Sequence, residues 1–250
     1  LRKHFPLLTQ AIQIDAGAQC GTVGDRLLQR PGCAHFNRLA SRCNKRAPGT
    51  GCSATSDHAT HAILGASGLC QSVQTSDMCV ALAALEARVV IDAAGVTRKV
   101  PFAQFHRLPG TTPELDTNMQ PGEVVTGVEL PMPAAAFARH YSYFKIRAGD
   151  GSSPVSVAVA LDIRLGSIRA ARIALGGVAQ KPWRAVQTEN VLAGARADNA
   201  LYWDAANAGL QPASRKPEHA FKVELVRQAI VRTLILAVGR REGQETGERQ

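Results

Sequence analysis

Aromatic side chains are scarce in this chain, at 5% of its 250 residues. Binding single-stranded nucleic acid needs a platform of such rings, so an excess of 29 Lys and Arg over 20 Asp and Glu does not by itself point to that activity. The basic residues are scattered except around Arg38 to Arg46, and we expect no nucleic-acid partner. Long apolar runs are missing too. Val80 to Leu85, Val155 to Ile163 and Ala229 to Val238 are too short or too interrupted to cross a bilayer as helices, so no membrane insertion is expected. Nor does a secretory pattern stand at the start, and a first residue of Leu1 in place of Met predicts either a removed start or a fragment. GxSxG elbows, Walker loops and HExxH helices are all absent, and with no nucleophile or acid–base constellation a self-contained hydrolase is not expected. What remains is electron handling.

Against these absences stand six cysteines, and four of them, Cys33, Cys43, Cys52 and Cys70, fall between Arg30 and Cys70. They are separated by nine, eight and seventeen residues, and Pro31, Gly32, Pro48, Gly49, Gly51, Gly65 and Gly68 let the backbone bend between them. Such a loop can bring four thiolates to one metal centre. Its composition predicts irregular backbone, and a bound centre would supply the order that an apolar core does not. Structural zinc usually takes close cysteine pairs, two to four residues apart, and none occurs here. Widely spaced thiolates fit the bulkier iron–sulfur cubane, and Arg38, Arg42, Lys45 and Arg46 would offset its negative charge. Zinc, disulfides and free thiols stay open as alternatives, and those cations read equally as a solvated face. His58 and His61 are expected to be surface or packing residues, because four cysteines already complete a site.

Along the chain, Phe5, Leu8, Ala11 and Ile12 mark the face of a helix within residues 1–16. Gly17, Gly21 and Gly24 give a tight backbone path, a turn or an approach to phosphate. Ser76 and Asp77 cap a helix over DMCVALAALEA, and RVVIDAAGVTRKV reads as a hairpin turning at Ala94-Gly95. Phe102 to Pro109 is a connection, and Val124 to Leu130 a strand. After a linker over 134–139, His140 to Ile146, Val155 to Ile163 and Ile168 to Leu175 are strands, with larger and smaller side chains alternating in VSVAVAL; Gly149-Asp150-Gly151 is a turn and Gly176-Gly177 closes the meander. Helices are predicted over Pro182 to Leu192, Asn199 to Leu210 and Phe221 to Val238. The last carries a stripe of Leu225, Val226, Ala229, Ile230, Thr233, Leu234 and Ala237, and a charged tail over 241–250 follows it. The class is α+β, in two compact units.

Read together, LLQRPGC, CNKRAPGTGC, HAILGASGLC, SDMCVALAALEA, LPGTTPELDT, PGEVVTGVELP, YSYFKIR, ALGGVAQKPWR and AFKVELVRQAIVR resemble the FAD-binding medium subunit of molybdenum hydroxylases, the xanthine dehydrogenase family. The nearest type is the [4Fe–4S]-containing FAD subunit of bacterial periplasmic aldehyde oxidoreductases. The resemblance implies the C-terminal part of a PCMH-type FAD-binding domain over 1–133, with the cysteine insertion at about 30–72. A small α+β domain, a three-stranded sheet plus helices as in CO dehydrogenase flavoprotein C-terminal domains, would follow over 138–240. It implies electron transfer, in a heterotrimer with a molybdenum-cofactor large subunit and a [2Fe–2S] small subunit, from those centres to an external acceptor. It implies the periplasm, reached by co-export with a partner, or the cytoplasm if unexported. Cys33, Cys43, Cys52 and Cys70 match the family's [4Fe–4S] ligands; Cys20 and Cys79 do not, and are expected to be structural or incidental. Thr22, Val23, Gly24, Asp77, Val125 and Lys145 match FAD contacts. Three departures qualify the match. A Gly-rich pyrophosphate loop belongs to a segment ahead of Leu1, Asp25 and Arg26 stand where the flavin loop continues Gly-Asn, and AGDGSSP is shorter than its counterpart. They define the alternatives, a degenerate subunit that keeps the cysteine loop and docking surface without FAD, or a zinc-stabilised binding module.

Overall fold

The computed structural model describes residues 3–15, 21–54, 60–132, 137, 139–148 and 154–239. Cys20, His58, Gly149-Asp150-Gly151, the tail and most of the linker over 134–139 lie outside them. Pro6, whose fixed φ suits a first turn, opens α1 (Pro6–Asp15). Its buried side chains are Leu7, Leu8 and Ala11, whereas Ile12 is 38% exposed. The expected face is thus rotated, because Leu7 rather than Ile12 turns toward the core. Short helices α2 (Val23–Leu27) and α3 (Ala34–Asn37) follow, and then α4 (Asp77–Ala84), capped by the Ser76 hydroxyl on the Cys79 amide and buried along its whole length.

β1 (Arg88–Ala93) and β2 (Val96–Pro101) form the expected hairpin, with Ala94 at φ 51° and Gly95 at φ 88°. Two positive φ values give the primed turn that matches strand twist. β1 also pairs antiparallel with β3 (Val124–Glu129), making a sheet of order β2-β1-β3. Between β2 and β3 the expected connection begins as one helical turn, α5 (Phe102–Phe105), because Phe102 and Phe105 both bury there.

The second sheet is antiparallel in the order β4-β5-β6-β7, with β4 His140–Ile146, β5 Val155–Arg164, β6 Ser167–Gly176 and β7 Trp183–Arg184. It has four strands where three were expected. Trp183 and Arg184, predicted to begin a helix, pair with Leu175 and Ala174, and the Ala185 amide donates to the Ile173 carbonyl at 3.0 Å. Edge pairing therefore holds this segment extended, and α6 starts only at Val186 (Val186–Leu192). α7 (Asn199–Gly209) and α8 (Ala220–Gly239) complete the chain, and the predicted α8 stripe is buried except for half-buried Leu225. Among the described residues no helix is long and apolar enough to cross a membrane.

The alternation in VSVAVAL decides how the layers stack. Val157, Val159 and Leu161 enter one core with α6, α7 and α8, while Ala158, Ala160 and Ala174 face the other, with α1 and α4. Small residues on that face let α4 lie close to the sheet. A Cβ at Gly176 would stand 2.6 Å from Val80 Cγ2 of α4 and 2.4 Å from Ser156 Oγ. The second sheet is thus covered on both faces, once by helices that follow it and once by helices that precede it.

Candidate functional site

Cys33 is the residue just ahead of α3 and makes no side-chain capping hydrogen bond there, although the His35 and Phe36 amides lie on the side of its thiol. Cys43 and Cys52 oppose each other across an antiparallel bridge, and Cys70 lies 3.2 Å from the Ser72 hydroxyl. Burial pushes the Cys33 thiol above its ordinary pKa against those two amides, and the neighbouring Cys70 and Cys43 push it further. The same causes raise Cys52: burial first, opposed by the Ala54 amide, then Cys70 and Cys43. Cys33 and Cys52 each feel both of the other thiols, so the fold brings all four predicted cysteines into one neighbourhood. The described cysteines, Cys79 included, are free thiols. Among the described residues no three His, Cys, Asp or Glu side chains gather closely enough for a single metal ion. Four tetrahedral thiolates on one zinc would sit roughly 4 Å apart, given Zn–S bonds of about 2.3 Å.

Nearby cations split into two kinds. Arg38 and Arg42 are exposed, as a solvated face would have them. Buried Lys45 and half-buried Arg46 are tethers, which neither sequence reading anticipated. Lys45 is buried, donates to the Pro113 carbonyl at 2.7 Å and forms an ion pair with Asp116, which Arg30 also contacts at 2.9 Å. The Arg46 guanidinium gathers the carbonyls of His35, Phe36, Arg38, Leu39 and Ser41, closing the backbone that follows Cys33. Asn44 holds the turn between Cys43 and Cys52, accepting from the Gly51 amide at 2.8 Å and donating to the Leu69 carbonyl at 3.1 Å.

The far end of the insertion docks on the second sheet and its helices. The Ile63 and Leu64 amides donate to the Val178 carbonyl at 2.9 and 3.0 Å, and the Gln74 amide to the Ala179 carbonyl at 2.8 Å. Ser214 donates its amide to the Ile63 carbonyl at 2.8 Å, and fully buried Lys222 of α8 donates to the His61 carbonyl at 2.6 Å. His61 itself is buried, a packing residue.

The predicted flavin contacts divide as well. Asp77, the first residue of α4, accepts from the Lys145 ammonium and the Tyr143 hydroxyl, each at 2.5 Å. All three sit at the seam between α4 and β4. Tyr143 was missed by the sequence reading, although its i, i+2 spacing from Lys145 on one strand puts both on one face. Thr22, Val23 and Gly24 lie at the start of α2, with Thr22 and Val23 exposed. Among the described residues no hydrogen bond joins them to Asp77 or Lys145; the end of α2 meets α4 where the Cys79 thiol donates to the Arg26 carbonyl at 3.4 Å. Val125 lies half-buried in β3. The Asp25 carboxylate, a departure from the flavin loop, accepts from the Thr22 amide at 2.8 Å and hydroxyl at 2.9 Å, while the Thr22 hydroxyl accepts the Asp25 amide at 3.1 Å. This capping box holds the Asp25 carboxyl below its usual range, chiefly through the Thr22 amide, and puts a fixed negative charge at the start of α2.

Two domain families match the chain: the FAD binding domain in molybdopterin dehydrogenase over residues 1–133, and the CO dehydrogenase flavoprotein C-terminal domain over residues 139–239. The chain is 34% identical over 240 residues to the aldehyde oxidoreductase FAD-binding subunit PaoB of Escherichia coli, spanning 94% of this chain and 72% of that one. It is 36% identical over 132 residues to the glyceraldehyde dehydrogenase medium chain of Sulfolobus acidocaldarius, spanning 53% of this chain and 44% of the other. Among solved structures, carbon monoxide dehydrogenase from Hydrogenophaga pseudoflava is similar with a TM-score of 0.57 and 25% identity, covering 66% of this chain and 57% of that one. The chain thus spans less than two thirds of the last two proteins. Two successive domain matches in this order, and a relative aligned along almost the whole sequence, lead to one assignment: this chain belongs to the FAD-binding subunits of the molybdopterin-dependent oxidoreductases.

Proposed function

We propose that the chain is the electron-transfer subunit of a molybdenum-dependent aldehyde oxidoreductase, with FAD as its flavin and a [4Fe–4S] cluster on Cys33, Cys43, Cys52 and Cys70. The observation that carries the cluster is the gathering of those four free thiols in a loop tethered by Lys45 and Arg46. The set is all-thiolate, which suits iron and sulfide. FAD supplies the redox chemistry when bound. The chain's part is positioning: the exposed Thr22–Gly24 turn and half-buried Val125 would line the flavin, and Asp77, with Tyr143 beside it, would orient Lys145 toward it. Partners would be a molybdenum-cofactor large subunit and a [2Fe–2S] small subunit, and the compartment the periplasm, reached by co-export.

A second reading, a subunit without FAD, is favoured by the Asp25 carboxylate fixed at the start of α2, where it repels a diphosphate. Iron, sulfide, zinc and flavin contents of the purified chain separate the two. Flavin with about four irons supports the first reading, and iron without flavin the second. Zinc without iron sinks both. Cys43→Ser should abolish iron retention, and unchanged iron would remove Cys43 from the ligand set.

A further inference from the structure

The geometry points to a reversible disulfide between Cys43 and Cys52 in the metal-free chain, a site of oxidative modification that closes the loop over residues 44–51. This goes beyond the proposed function and stands whether or not a cluster binds.

Cys43 and Cys52 are directly opposed in an antiparallel bridge whose flanking backbone hydrogen bond runs from the Ser53 amide to the Arg42 carbonyl at 2.9 Å. That flank identifies the narrow, non-hydrogen-bonded kind of cross-strand pair, in which Cα atoms stand about 4.5 Å apart with side chains on one face. A disulfide spans Cα separations of about 4.4–6.8 Å, so this pair can close without moving its strands. The remaining thiols are placed otherwise. Cys33 stands at the start of α3, and Cys70 belongs to a separate tight bridge with Ser67 and contacts Ser72. Nothing metallic is needed to hold the 43–52 pair in register, because Asn44 fastens the turn between them and the Arg42 amide donates to the Ser53 hydroxyl oxygen at 3.0 Å.

The oxidant is a small-molecule disulfide such as glutathione disulfide. Half-buried Cys52 is the accessible partner and Cys43 the buried one. The Cys52 thiolate attacks the reagent, forming a mixed disulfide and releasing one reagent thiol. Cys43, having lost its proton to solvent, then attacks the Cys52 sulfur and expels the second. Two protein S–H bonds are lost, one S–S bond forms, and the reagent's S–S bond takes up the two electrons as two thiols. The product hides two of the four thiols from further oxidation and from metal, and a dithiol reverses it.

The test uses the full chain, as purified and after iron is stripped by a chelator under reducing conditions. Each sample is treated with glutathione disulfide, alkylated and digested with trypsin. Trypsin cuts after Lys45 and Arg46, and a second cut before Asp57 and Asp77 with endoproteinase Asp-N parts Cys52 from Cys70 and Cys79, so the bridge is read as a linked peptide pair. In the stripped chain the expected result is a dominant Cys43–Cys52 link, loss of two reactive thiols per chain, and recovery of both with dithiothreitol. The Cys52→Ser chain should lose the link without shifting it to Cys33 or Cys70. A dominant link through Cys33 or Cys70, or thiols that all stay reactive, overturns the inference. The outcome is separable from the cluster reading. Purified chain without iron that still forms the 43–52 link refutes the cluster and keeps the disulfide, whereas iron-bearing chain that forms no link after stripping does the reverse.

Discussion

Single residues carry much of the chemistry, and the clearest case for titration is His106. It is buried, its Nε2 contacts the Leu27 carbonyl at 2.9 Å, and its Nδ1 is buried without a hydrogen-bond partner. A proton added at Nδ1 would find no acceptor. Burial, first of all, brings the imidazole down to about 4 from an ordinary 6.5. The folded chain therefore binds this proton less readily than the unfolded chain, so the stabilisation is complete above pH 6.5 and lost as pH falls toward 4. Between pH 7.5 and 4.5 the loss from this group should reach roughly 2–3 kcal/mol. Urea unfolding of the native chain and of His106→Gln checks it, since Gln can donate to Leu27 but does not titrate. The variant should gain on the native chain as pH falls, and a gap that stays constant would assign the acid sensitivity elsewhere. At this scale the cysteines stood out in the sequence because type and spacing alone restrict what four thiols can do. Lys45, Arg46 and Lys222 did not. A cation in a sequence predicts solvent, and only the fold shows that Pro113, Phe36 and His61 offer carbonyls where those side chains turn inward.

Elements were read well where local chemistry sets them. The Ala94-Gly95 turn, the Ser76 cap and the α8 stripe follow from neighbours in sequence, and each stands where its residues predicted. Trp183 and Arg184 were misread because their partners, Leu175 and Ala174, lie across a turn, and strand pairing overrode the local pattern. That turn also carries the strongest backbone constraint. Gly177 has φ 74°, and a Cβ on it would stand 2.3 Å from the Pro154 carbonyl oxygen. Gly95, at φ 88°, has no heavy atom within 4 Å of such a Cβ. Gly95→Ala should therefore cost only the left-handed strain of about 1–2 kcal/mol. Gly177→Ala adds a clash with main chain and should cost roughly 3 kcal/mol or more, read as the difference in urea midpoints. Equal losses would mean that the strand ends can part around the methyl group.

The whole molecule is where the sequence said least. Alternation in β5 announced two faces of different size but could not name what covers each, since α4 arrives from far upstream. Nor could it show that Ile63 and Leu64, which follow the cysteines Cys33, Cys43 and Cys52, belong to the core of the second sheet and its helices. Main-chain hydrogen bonds from residues 63, 64 and 74 to Val178 and Ala179 make the insertion part of both halves. The division of the sequence near residues 133–139 is therefore a division of ancestry rather than of structure. A fragment cut there and begun at residue 137 would leave the Ile63 and Leu64 positions bare and the Val178 and Ala179 carbonyls without their donors, so it should be prone to self-association in size-exclusion chromatography. A synthetic peptide of residues 60–76 supplied in trans should bind that fragment and raise its melting temperature, while the same peptide with Ile63→Asp and Leu64→Asp should not. The cysteine loop is in this sense a borrowed piece of the downstream half's floor, and a crossover that exchanged the C-terminal half between relatives would succeed only if those few upstream residues travelled with it.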